Sequence, residues 1–315
     1  MQDMIAIFGT FEGITRADFY SDGSLKECTL NEAVKIKTPY GVLLPQYADD
    51  GVRRKFSKSL SFYKNGNLKS ISLHDQTYIK TPVGVFPAEL ITFYESGKIK
   101  RLFPLNGKIT GYWTEENEYE LAQEFDFSFS FGKFRSKIIG IRFYETGELK
   151  GITFWTRDVI GIQPPIGEMQ IRIGVGLYPD GRLKSVEPRI PTAVDTPIGI
   201  IMAYNSGAIG IHGDANSLAF YEDGRVKSLI TCTDYITVTD KNGKKKTFGP
   251  DMKPSLFHVG KMEIIPLCIS FSDGKVRFSN EEESFEIEQY IFTVKSYPQI
   301  LRAECGDCSS CTSCG

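Results

Sequence analysis

Phe19-Tyr20-Ser21-Asp22-Gly23-Ser24-Leu25-Lys26 decides the fold of this chain, because the phrase returns with small changes around Gly66, Gly97, Gly147, Gly181 and Gly224, and in degraded form around Gly207 and Gly274. Recurrence of one short unit identifies an architecture before it identifies an activity. In each copy an aromatic pair leads into two polar residues and a glycine, then an apolar residue and a lysine, as in Phe220-Tyr221-Glu222-Asp223-Gly224-Arg225-Val226-Lys227. That pattern predicts a β-hairpin. The Asp, Asn or Ser before the glycine tolerates turn geometry, and the glycine supplies the positive φ that short loops demand. Strand side chains alternate between faces, so the Phe before the turn and the Leu, Ile or Val after it share one face, while Tyr and Lys share the other.

If the hairpins stack in order, Lys26, Lys69, Lys100, Lys150, Lys184 and Lys227, with Arg277 in the last degraded copy, form a ladder flanked by Tyr20, Tyr63, Tyr94, Tyr144, Tyr178 and Tyr221. Such a ladder reads either as an anion-binding stripe or as a solvated face whose lysine stems lie over tyrosine rings. The second reading needs no ligand and is the simpler one. A second phrase alternates with the first: Thr38-Pro39-Tyr40-Gly41, Thr81-Pro82-Val83-Gly84, Pro164-Pro165-Ile166-Gly167 and Thr196-Pro197-Ile198-Gly199. Pro-x-Gly predicts a turn leading into an apolar strand.

The Phe-Tyr-x-x-Gly-x-Leu-Lys phrase resembles the half-repeat of the MORN-variant, YwqK-like repeat proteins of bacteria. The resemblance covers only these short segments. It implies an array of β-hairpins and, because some members of that group act as antitoxins or immunity proteins, it raises the function of neutralising a toxin partner.

Composition agrees with a globular β protein. The chain has 315 residues, 41% of them hydrophobic, with 22 Phe, 15 Tyr and 30 Gly, enough apolar surface for a full core and enough glycine for many turns. One short helix is expected over Thr114 to Phe125, with Thr114 as its cap. Phe125, Phe127, Phe129 and Phe131 then alternate with other residues as on a strand with one buried face. The expected fold is all-β: repeated antiparallel β-hairpins forming an extended or solenoid-like sheet over residues 1–300, with a break near 106–140 if there are two segments, and a cysteine-rich tail over 301–315.

A formal net charge of −2 argues against general nucleic-acid binding. The basic run Lys241-Asn242-Gly243-Lys244-Lys245-Lys246 reads as a hairpin tip. The first residues lack a basic region followed by an apolar stretch and a cleavage site, and no run approaches the roughly 20 apolar residues that span a bilayer, so a cytoplasmic location is expected.

The tail reads Cys305-Gly306-Asp307-Cys308-Ser309-Ser310-Cys311-Thr312-Ser313-Cys314-Gly315. Cys-x-x-Cys is the shortest step that converges two thiolates on one metal, so Cys305, Cys308, Cys311 and Cys314 are candidate ligands of an iron–sulfur cluster or of zinc; thiol redox chemistry and an inert tail are the alternatives. The isolated thiols Cys28, Cys232 and Cys268 are expected to be buried and inert, although Cys268 could add a ligand if the tail folds back. Where the repeat breaks, Ile209 to Ser217 places His212 and Asp214 between glycines, either as an acid–base pair or as a polar turn. His74 and His258 are read as surface residues. At the second break, Asn106-Gly107 signals a hairpin, and Tyr112-Trp113 is either an exposed binding platform or a pair buried under the helix. No nucleotide-binding, esterase or zinc-protease motif occurs. The function expected from these features is a non-enzymatic scaffold that binds a protein partner and carries a metal on its tail; the immunity reading and an enzyme using His212 and Asp214 are the alternatives.

Overall fold

The computed structural model describes residues 4–6, 9–11, 13–49, 51–54, 58–208, 216–255, 262–279 and 284–298. Its architecture is antiparallel β, in two compact units. One unit comprises Met1–Phe127, Arg135–Trp155 and Leu177–Gly181; the other comprises Ser128–Phe134, Thr156–Gly176 and Arg182–Gly315.

In the first unit the strands Ile14–Phe19, Leu25–Leu30, Leu60–Phe62, Leu68–Thr81, Gly84–Phe93 and Ile99–Phe103 pair each with the next. Ile99–Phe103 then pairs with Gly132–Phe143, and that strand with Leu149–Phe154. The core face is built by the apolar half of the alternation: Leu30, Leu60, Phe62, Ile71, Ile91, Leu102, Ile141 and Ile152 are all at most 1% exposed. Each such side chain contributes on the order of 1.5–3 kcal/mol by leaving water.

The repeated phrase contains a device that alternation alone does not reveal. Phe62 pairs with Leu68 but Ser61 pairs with Ser70, so Lys69 is an extra residue in its strand. The same shift falls at Lys26, Lys100, Lys150 and Lys227, where Phe19 pairs with Leu25 but Asp18 with Glu27, Phe93 with Ile99 but Thr92 with Arg101, Phe143 with Leu149 but Arg142 with Gly151, and Phe220 with Val226 but Ala219 with Ser228. The lysine of the phrase is therefore the bulge residue, and bulges strengthen the local strand twist. The loop itself is a type I turn closed by the glycine: Gly66 N–H donates to Tyr63 O (2.9 Å), Tyr63 N–H donates to Asn67 O (2.8 Å), and Gly66 has φ 83°. The Gly274 copy is one residue shorter between aromatic and glycine. Asp273 (φ 49°) and Gly274 (φ 71°) form a two-residue loop, and Phe271↔Val276 and Ser270↔Arg277 pair without a shift. Arg277 is thus a regular strand residue, not a counterpart of the bulged lysines.

Consecutive copies are fastened by their tyrosines. Tyr20 Oη donates to Phe62 O (2.9 Å), Tyr63 Oη to Phe93 O (2.8 Å), Tyr94 Oη to Phe143 O (2.9 Å) and Tyr144 Oη to Leu177 O (2.8 Å). Each acceptor immediately precedes the tyrosine of the next copy. Such bonds contribute about 1 kcal/mol apiece.

The Thr-Pro-x-Gly phrases close hairpins in a shared way. Thr38, Thr81 and Thr196 each accept a backbone N–H two residues on and donate to the oxygen of Gly41, Gly84 or Gly199. The helix spans Glu115–Leu121, shorter than the sequence predicts, with Thr114 and Asn117 forming a capping box. Chain from Glu124 onward is strand, in which Phe127 is buried.

In the second unit, Leu183–Pro188, Leu218–Phe220, Val226–Thr231, Leu267–Ser272, Lys275–Phe278 and Ser284–Glu286 pair in series. Asp234–Thr239 pairs with both Lys245–Phe248 and Ile291–Ser296. The Lys241 to Lys246 run occupies a hairpin tip, as expected.

Candidate functional site: a cationic groove on the first unit

The bulges of the first unit bring polar residues into one row across the sheet. Glu27 opposes Ser61, Ser61 opposes Ser70, Ser70 opposes Thr92, Thr92 opposes Arg101, and Arg101 opposes Arg142. Directly opposed residues share a face, so this row and the bulged lysines lie together on the face away from the core. A groove of about 350 Å³ opens there. Its floor includes the Ser61, Ser70 and Thr92 side chains; its cations are Lys26, Lys58, Lys69, Lys100 and Arg101, against the single carboxylate of Glu27.

That carboxylate is held by Lys58 at 3.1 Å. Lys69 and Lys100 are exposed and make no ion pair with a described residue. Their ammonium groups stand 5.7 Å from the centre of the Tyr63 ring and 5.4 Å from that of Tyr94, as the solvated-face reading expects. Stacking fixes where the charges sit without neutralising them. Burial, followed by Glu95 beside Tyr63 and Glu145 beside Tyr94, raises both phenol pKa values and keeps the hydroxyls protonated as donors. At the far end of the row, Arg142 is buried, and burial followed by the charge of Arg101 pulls its pKa down to about 10. Thr92 Oγ1 is withdrawn from solvent and makes no hydrogen bond to a described residue.

The other expected sites fare differently. His212 and Asp214, His258, and Cys305, Cys308, Cys311 and Cys314 lie outside the described residues. Among the described residues no group of three His, Cys, Asp or Glu is placed to hold a metal. Cys28 is buried, and burial followed by Glu27 pushes its thiol up to about 12, which makes it inert. Cys232 is also buried, but Cys268 is exposed because alternation along Leu267–Ser272 puts it on the open face. His74 is half-buried, not a surface residue, and its ring stacks on Tyr47 at 4.0 Å.

The second break, around Phe103 to Trp113, is a structural joint. Gly107 does not turn a hairpin; it forms an isolated bridge with Arg54. Its amide donates to Glu118 Oε1 (2.9 Å), and a Cβ there would stand 2.2 Å from the carboxylate, so only glycine fits. Glu118 also accepts from Trp113 Nε1 (2.7 Å) and from Arg53, which grips Glu89 with its remaining donors. Burial disfavours the Arg53 charge, but the bonds to Glu89 and Glu118 outweigh it and hold that pKa above the ordinary arginine range. Trp113 is thus consumed by the joint, whereas Tyr112 is 92% exposed.

In the second unit Glu187 is fully buried and accepts from Ser217 N (2.8 Å) and Ser217 Oγ (2.6 Å), with Arg172 Nη2 4.0 Å from its other oxygen. Burial raises its pKa, against the lowering effect of Ser217 and Arg172. Ile173, beside Arg172, has φ 66°, a strained value for a β-branched residue. Both Glu187 and Ser217 are sealed from solvent, so this pair is packing, not a reaction centre.

Sequence reasoning placed the ladder but missed Lys58, Arg101 and the hydroxyl floor. The available signal was the residue following each lysine, which the bulge brings to the same face. Comparison with protein-family models, curated proteins and solved structures finds no match to this chain.

Proposed function

We propose that the protein is a non-enzymatic β-hairpin scaffold that binds a partner protein through the cationic groove of its first unit. The observation that carries this reading is the groove's lining: five cations against one carboxylate, with Lys69 and Lys100 held in place by tyrosine rings and engaged by no described carboxylate. Fixed, uncompensated charge on a surface steers an oppositely charged partner and sets its register. No helix among the described residues is long and apolar enough to cross a membrane. Binding of fluorescent poly-L-glutamate at low salt tests the proposal. Wild-type protein binds with an affinity that falls as salt is added, and Lys69→Glu/Lys100→Glu binds at least about tenfold more weakly; equal binding by both proteins contradicts it.

A metal on the tail is a second part of the proposal, resting on the three-residue spacing of Cys305, Cys308, Cys311 and Cys314. Anaerobic purification followed by a visible spectrum and metal analysis tests it, and a colourless, metal-free full chain rejects it.

A further inference from the structure

We infer that the groove's partner is an extended acidic peptide segment lying across the strands, with a carboxylate on every third residue. The inference rests on the anion-binding reading above and adds the ligand's geometry.

The strand order sets the spacing of the charges. From the strand bearing Lys26 to that bearing Lys69 is two strands, from Lys69 to Lys100 two more, and from Lys100 to Lys150 two more. Strands lie ~4.7–4.9 Å apart, so successive bulge lysines repeat every ~9.4–9.8 Å across the sheet. A peptide in the extended polyproline II conformation has three residues per turn and rises ~3.1 Å per residue, so every third side chain points to the same side at intervals of ~9.3 Å. A peptide crossing the strands therefore meets one lysine with every third side chain. The two repeats stay in step over the whole ladder.

The chemistry between the lysines suits the same ligand. Ser61 and Ser70 line the groove, and their hydroxyls bond each other at 2.5 Å, a pair that retains one O–H donor and spare acceptor capacity. A peptide brings backbone N–H and C=O groups to such hydroxyls at every residue, in addition to its carboxylates. A nucleic acid fits less well. Its closely spaced phosphates would meet a cation only every ~10 Å, on a chain whose net charge is −2.

The test compares two synthetic peptides of the same composition on the full-length protein at low salt. One carries glutamate at every third position with glycine and serine between; in the other the glutamates are contiguous. An oligothymidylate of similar length is the third probe. The spaced peptide is expected to bind at least about tenfold tighter than the contiguous one, and to lose that advantage on Lys69→Gln/Lys100→Gln, whose circular dichroism checks folding. Equal affinity for the two peptides overturns the spacing while leaving an anion-binding groove. Failure of all three probes overturns the groove itself, and tighter binding of the oligothymidylate overturns the peptide assignment.

Discussion

The two units use one hairpin and deploy its charges differently. In the second unit the turn cations are engaged close by: Arg182 with Glu222 at 2.9 Å, Arg225 with Asp223 at 2.7 Å, Lys275 with Glu286 at 3.0 Å. Its cross-strand row reads Ser185, Ala219, Ser228, Ser270 and Arg277, with one charge in five positions. In the first unit the corresponding row carries Arg101 opposite Arg142, whereas the bulge lysines are alike in both units: Lys227 stands 5.5 Å from the centre of the Tyr221 ring, as Lys69 and Lys100 stand over Tyr63 and Tyr94, and none of the three makes an ion pair with a described residue. The hairpin phrase is thus neutral as to function. What differs is the cross-strand row, which carries Glu27, Arg101 and Arg142 in the first unit and Arg277 in the second, and on the proposed reading that row distinguishes a binding face from a solvated one.

The largest effect expected belongs to the first unit's joint. Glu118→Ala leaves Arg53, Trp113 Nε1 and Gly107 N–H without their shared acceptor, so thermal or urea unfolding should show a loss of about 3–5 kcal/mol. Next comes the contrast between the faces. Lys69→Glu/Lys100→Glu should lower poly-L-glutamate affinity at least tenfold, about 1.4 kcal/mol or more, whereas Lys227→Glu in the second unit should leave it unchanged. Equal losses would erase the distinction between the units.

Smaller is the tyrosine fastening. Tyr63→Phe should cost about 1 kcal/mol at neutral pH. Because burial raises the folded-state pKa of Tyr63 above its ordinary value of 10.0, the stability it contributes is complete below pH 10 and lost as pH rises through the folded value. The variant should therefore show a shallower alkaline decline than wild type. A last comparison concerns Glu187, whose folded-state pKa lies above the ordinary 4.5 because of burial. Its favourable contribution is complete below pH 4.5 and is lost as pH rises through the folded value. Stability of Glu187→Gln relative to wild type should thus improve as pH increases from 4.5, and a flat difference would place the buried carboxylate in a better-compensated site.

The hairpins were legible in the sequence because turn chemistry is local: Gly66, its preceding Asn65 and the flanking Phe62 and Leu68 report one loop. The bulge at Lys69 was not, since it is a relation between two strands, visible only once Ser61 is seen opposite Ser70. Lys58 escaped for a related reason, lying outside the phrase but next to Glu27 in space. The joint around Glu118 unites residues from Arg53 to Glu118, and a long-range ion cluster leaves no periodic trace. Thr114 as a cap was readable because capping spans four residues; the helix's early end was not, because Glu124 is recruited into a strand.

The groove is tested most directly by footprinting its lysines. Reductive methylation of the full-length protein, with and without poly-L-glutamate and read by mass spectrometry, reports each ammonium group separately. Lys69 and Lys100 should be protected by the polyanion, while Lys244 and Lys245, which are equally exposed on the second unit's hairpin tip, continue to react. Protection spread evenly over all four lysines would contradict a binding groove on the first unit.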